Sequence, residues 1–304
     1  MKIILACAAL LTVSQGRAQT SGSFPSFPSL GEFRAEMPQP ALTTIDELLE
    51  ILRDPVRQDP RVVLSALDQI GDWTRVMTPE QEARVIFALE GAADSASLFP
   101  QARAKALDAL SKTAVRARNE STYSRAVEAI VRIAGADNPQ DSRRDLRLPA
   151  LLALARTAPQ LPEFDRSLTQ RVMGVAFGVL DQGYDRQENL AAMRIVRAYL
   201  HGHGAQGLFR DPELARRAEY ALISPYERDL MRVYGDFNRG PEFRYELVRS
   251  LAAVAWTRAV DGGNLPHRAR GVLSQMAQNE TDPTVKRLAC IYSRDASCRG
   301  FSPF

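Results

Sequence analysis

The chain has 304 residues, 45% hydrophobic and 25% charged, the values of a globular protein long enough to bury a sizeable core rather than of a disordered or low-complexity chain. Its formal net charge of +3 gives little electrostatic basis for general binding to nucleic acid. Aromatic residues make up only 7%, so Leu and small side chains must do most of the packing, as they do between closely approaching helices.

The N-terminus reads as an export signal over residues 1–18. Lys2 precedes an apolar run over 3–13, and Gly16-Arg17-Ala18 puts small residues at the −3 and −1 positions of a cleavage after Ala18. The run is too short to span a bilayer as a helix. Ile4-Leu5-Ala6-Cys7 resembles a lipoprotein box, but too few apolar residues precede the Cys. No later run reaches spanning length, so the mature protein is expected in the periplasm or outside the cell. Removing Lys2 and Arg17, with no acid, takes the charge from +3 to +1. Residues 19–43 mix Ser, Gly, Phe and Pro without period, and the prolines rule out a continuous helix; the stretch reads as an extended arm.

Helical signals then follow one another. Thr44-Ile45-Asp46-Glu47 is a capping box. Thr78-Pro79-Glu80-Gln81 and Ser224-Pro225-Tyr226-Glu227 repeat it with Pro at the first helical position. Asp59-Pro60, Asp211-Pro212 and Asp282-Pro283 are further starts. Between starts the apolar residues recur every three or four, as in Val85, Ala88, Leu89 and Ala92. Alternating β-branched runs are missing, and the expected class is all-α.

The organising stretch is Pro149-Ala150-Leu151-Leu152-Ala153-Leu154, whose Ala-Leu-x-x-Leu core has weaker copies. They are Ala66-Leu67…Ile70, Ala106-Leu107…Leu110, Ala192-Met193…Val196, Ser250-Leu251…Val254 and Arg287-Leu288…Ile291. The second residues of successive copies are 40, 44, 42, 58 and 37 positions apart. A period near 40 that holds two helices predicts an α-solenoid of about five to six stacked antiparallel helix pairs over 44–296, with a tail at 297–304. The intervening helices are expected at 79–93, 119–135, 165–181, 212–234 (broken at Pro225) and 266–279.

Asp282-Pro283-Thr284-Val285-Lys286-Arg287-Leu288-Ala289 resembles the HEAT-repeat signature, with partial copies at Asp59-Pro60-Arg61-Val62-Val63 and Asp145-Leu146-Arg147-Leu148. The resemblance, to armadillo/HEAT-type repeats in general, implies that the Asp caps the second helix of a pair. It also implies a concave surface that takes a protein or peptide.

Chemistry is harder to find. No Gly-x-Ser-x-Gly, Walker-type loop, His-Glu-x-x-His or Ser-x-x-Lys occurs. No catalytic residue, cofactor or metal site is assigned. The extra length before the fifth core contains His201-Gly202-His203, with Asp211 and Glu213 the nearest acids. That loop reads either as a poor chelate or as a Gly-rich connection. The same insertion leads to Tyr234, Phe237, Arg239, Phe243, Arg244 and Tyr245, a concentration of the residue types that anchor interfaces; the other reading is a turn whose aromatics plug the adjacent helices. Cys290 and Cys298, with seven residues between them, either form a disulfide suited to an oxidising compartment or are a buried Cys and a stray thiol. The functional expectation is an exported binding or scaffold module for a protein or peptide, without nucleic acid or a membrane span. An envelope hydrolase with two groove carboxylates is the alternative.

Overall fold

A computed structural model describes residues 44–73, 76–136, 143–161, 166–182, 185–201, 205–231, 240–257, 264–294 and 298. These residues are helical with short connections, and no strand occurs among them. The helices are α1 (Ile45–Arg53), α2 (Pro60–Trp73), α3 (Pro79–Asp94), α4 (Pro100–Arg116), α5 (Glu120–Ala134), α6 (Arg147–Thr157) and α7 (Arg166–Gln182). The rest are α8 (Arg186–Tyr199), α9 (Ala205–Phe209), α10 (Pro212–Met231), α11 (Pro241–Ala255), α12 (Leu265–Asn279) and α13 (Pro283–Ser293). Leu42–Phe304 forms one compact unit.

Two layers result. The second helices of the pairs stack in the order α2, α4, α6, α8, α11, α13, each against the next; the first helices stack as α1, α3, α5, α7, α10, α12. This is the expected all-α solenoid, with six helix pairs among the described residues. The recurring core explains the stacking: Leu67, Leu107, Leu151, Met193 and Leu251 are at most 1% exposed. The small residue before each one, Ala or Ser, lets the neighbouring helix approach. A lone pair would leave that stripe in water, and its neighbour in the series covers it.

The caps at Thr44, Thr78 and Asp282 form as the sequence implies, whereas Ser224 lies inside α10 and starts no helix. The Thr44 hydroxyl accepts from the Glu47 N–H while the Glu47 carboxylate accepts from the Thr44 N–H. Thr78 and Gln81 repeat the exchange. Asp282 accepts from the N–H groups of Thr284 and Val285 at the start of α13.

Three expectations fail. First, α10 is not broken at Pro225 but runs continuously from Pro212 to Met231. Proline removes one backbone donor, yet Leu222, Ile223 and Tyr226 on either side of it are buried, and that burial outweighs one lost bond. Second, Asp145 does not cap α6. A 3₁₀ turn over Arg144–Leu146 leads straight into that helix without a side-chain cap. Third, the last copy is out of register. Arg287 is exposed and Leu288 only half-buried, while Ala289 and Cys290 are buried. The core position is Cys290, because a guanidinium at the small-residue position cannot enter the stack.

The extra length before the fifth core is accounted for by α9 and by the twenty-residue α10. At the C-terminal end Cys290 and Cys298 are joined, with S–S 2.16 Å and Cα–Cα 5.4 Å. Beside them Trp256 donates to the Tyr292 carbonyl at 3.2 Å and lies under the guanidinium of Arg294.

Candidate functional site

Of the aromatic and Arg cluster read from the sequence, Tyr234, Phe237 and Arg239 lie outside the described residues. The other three begin α11. Phe243 is buried in the core. Arg244 forms a two-pronged ion pair with Glu280, Nε–Oε2 3.0 Å and Nη2–Oε1 3.1 Å, at side-chain exposures of 11% and 5%. Tyr245 is half-buried under the Arg249 guanidinium, 5.9 Å from its ring centre. The start of α11 therefore ties the fifth helix pair to the sixth.

Around the His loop, His203 is outside the described residues and His201 is exposed. Asp211 is already engaged. It caps α10 through the Leu214 N–H (3.2 Å) and accepts from Arg166 Nε (3.0 Å) and Gln170 Nε2 (2.7 Å). Burial pushes its carboxyl up, but these three donors outweigh that and hold it at about 2. Glu213 is paired with Arg216 at 2.9 Å. No group of three metal-ligating side chains occurs among the described residues.

The layer of first helices carries a feature the sequence did not announce. Each helix sends a base back to the helix before it. Arg84 of α3 reaches Asp46 of α1 at 2.9 Å. From α5, Arg125 and Arg132 both reach Glu90 of α3, at 3.4 and 2.8 Å, and Arg132 also takes Asp94 at 2.9 Å. Arg171 of α7 reaches Glu128 of α5 at 2.6 Å. Arg217 of α10 donates to the Gly174 carbonyl of α7 at 3.4 Å, and Arg268 of α12 pairs with Glu219 of α10. Exposed pairs of this kind add little stability singly, of order 0–1 kcal/mol. Their geometric effect is to hold a row of guanidinium groups in place across the layer.

Two grooves lie along that row. The larger, about 900 Å³, runs between α1 and α3 and reaches Arg125 of α5; Leu49, Val56, Phe87 and Ala88 supply its apolar surface. Phe87 is 66% and Val56 57% exposed, and the Arg125 guanidinium sits 5.3 Å from the Phe87 ring centre. A side chain added at Gly91, on the same face, would meet nothing within 4 Å. The smaller groove, about 530 Å³, lies between α5 and α7 and is lined by Arg132, Arg147, Arg171 and Arg217 over Val131, Gly174, Val175 and Gly178. Glu90 joins the two, since it holds one Arg of each.

These residues escaped the sequence reading because each looked like ordinary helix surface. The available signal was glycine inside helices. Gly91, Gly174 and Gly178 each cost roughly 0.5–1 kcal/mol relative to Ala, yet they recur on one layer.

Comparison with known proteins fits this architecture. No protein-family model and no curated protein matches the sequence. Among solved structures, a designed armadillo repeat protein superposes with a TM-score of 0.50 at 17% identity, covering 81% of this chain and 97% of the other. A set of computationally designed armadillo repeat proteins for modular peptide recognition gives 0.48 over the same shares, also at 17% identity. At that identity the likeness concerns the fold alone: the chain is an all-α solenoid of armadillo/HEAT-like helical repeats.

Proposed function

We propose that the protein is a binding scaffold that captures an extended protein or peptide segment along its layer of first helices. The observation that carries this reading is the α1–α3 groove, where Phe87 and Val56 stay exposed beside the positioned Arg125. Large apolar side chains left in water beside a groove mark an interaction surface, and aromatic and Arg residues are the usual anchors of such surfaces. The peptide recognition named for the designed armadillo proteins is in keeping with it. Tyr234, Phe237 and Arg239 would add to the same function from the connection before α11.

Phe87→Ala tests the proposal. Because the ring is two-thirds exposed, the melting temperature should stay within a degree or two, as surface substitutions change stability by no more than about 0.5 kcal/mol. Binding to an array of random extended peptides should fall at least about tenfold, the size of a hot-spot truncation. An array signal that is absent in the parent protein, or unchanged in the variant, would refute the assignment.

Catalysis finds no support in the same groove. Its acids, Asp46, Glu50 and Asp54, have side chains more than half exposed, and each is paired with an Arg, unlike the shielded acid a glycoside hydrolase needs.

Export is part of the proposal and is supported by Lys2, the apolar run at 3–13 and the small residues at 16 and 18. N-terminal sequencing of protein recovered from the envelope should read from Gln19; a chain that still begins at Met1 would remove this element.

A further inference from the structure

We infer that the α5–α7 groove is an anion subsite that takes the carboxylate of an acidic residue in the captured segment. This rests on the peptide-binding reading above and adds the chemistry of the partner. The groove is lined by Arg132, Arg147, Arg171 and Arg217, and among the described residues no acid lines it.

Three of the four guanidinium groups are fixed by carboxylates set outside the groove. Arg132 is held by Glu90 and Asp94 at 2.8 and 2.9 Å, Arg171 by Glu128 at 2.6 Å, and Arg147 by Glu188 at 3.6 Å. Arg217 is different. It lies over the Phe177 ring at 5.7 Å and donates to the Gly174 carbonyl at 3.4 Å, and among the described residues no carboxylate pairs with it. A planar fork held at its back, with donors left for an incoming anion, is suited to two-pronged carboxylate binding.

The groove floor leaves room for that anion. A Cβ at Gly178 would meet nothing within 4 Å, and one at Gly174 would meet only Arg217 Nη1 at 3.7 Å.

The two grooves set a register. From the α1–α3 groove to the α5–α7 groove is two helix steps, roughly 16–20 Å at the usual 8–10 Å between packed helices. An extended chain covers that in about five to six residues. The segment that fits both carries a large apolar side chain and, about six residues away, an acid.

The experiment uses labelled Gly/Ser peptides with one Phe and a Glu at about that spacing, in both chain directions, beside peptides with Gln or Lys in place of the Glu. Fluorescence anisotropy with the full mature chain is expected to show the Glu peptide binding at least about tenfold tighter than the Gln peptide, and the Lys peptide weakest. Arg217→Gln should remove the Glu preference while leaving affinity for the Gln peptide in place. Gly178→Leu, whose Cβ would meet nothing within 4 Å and whose longer side chain would occupy the groove, should do the same with an unchanged melt.

If Glu and Gln peptides bind equally well and both need Phe87, the anion subsite is wrong and the peptide-binding reading stands. If Glu preference survives both Arg217→Gln and Gly178→Leu, the subsite lies elsewhere and the inference falls. If no peptide binds, both readings fall together.

Discussion

Leu151→Ala should cost about 2–5 kcal/mol, and Leu151→Asp should cost more, because it places a charge without a partner in a sealed interior. Leu151 is fully buried on α6, which packs between α4 and α8. It sits at the same register as Leu107 and Met193, so truncating it weakens the contacts to both neighbours. In a stacked array, stability is the sum of each repeat and its interfaces. Damage at this central pair should therefore do more than lower the midpoint. Urea titration followed by helical circular dichroism should show the single transition split, as the pairs on either side lose their coupling. If Leu151→Asp unfolds at the parent midpoint, the side chain is not where the stack needs it.

Arg244→Ala should destabilise by about 3–5 kcal/mol, the usual result of removing one partner of a buried ion pair. The Glu280 side chain is 5% exposed. Its oxygens also accept from the N–H groups of Thr281 and Asp282 at 2.9 and 3.1 Å, so the carboxylate is built into the turn before α13. Without Arg244 it keeps those backbone donors and loses its counter-charge. Arg244→Lys should restore only part of the loss, since an ammonium cannot make two parallel bonds to one carboxylate. Replacing Glu280 with Leu as well should not restore it fully, because two turn N–H groups would then lose their acceptor. Thermal melts of the three variants check this. An Arg244→Ala protein that melts normally but loses peptide binding would make the residue a partner contact instead of a tie between helix pairs.

Much of the architecture was legible from local chemistry. Thr44, Thr78 and Asp282 mark helix starts because a cap needs only an oxygen two or three residues from an orphan N–H, a relation contained in adjacent residues. The Ala-Leu core at 66–67, 106–107 and 150–151 marks the stack because a buried stripe must recur once per pair. The failures came where a local rule met a stronger non-local one. Pro225 reads as a break, and the buried neighbours Leu222, Ile223 and Tyr226 carry the helix through it. Leu288 reads as core, but packing of α13 against α11 and α12 keeps the Arg287 guanidinium in solvent and turns Ala289 and Cys290 inward instead.

The candidate site was barely legible. Glu90, Arg125 and Arg132 are 35 and 42 residues apart in sequence, and nothing in the chain announces that one carboxylate holds both bases. Phe87 sits between Ile86 and Ala88, where only the exact phase of α3 turns the ring outward.

The sequence alone therefore determined that this protein is helical, paired and serial, since helix caps and a repeated apolar stripe act over a few residues. The tertiary stack alone decided which face stays open, where the arginines converge and which candidates are spent on holding helices together. Those properties depend on side chains brought side by side from different repeats, and spacing along one strand of residues carries no record of that neighbourhood.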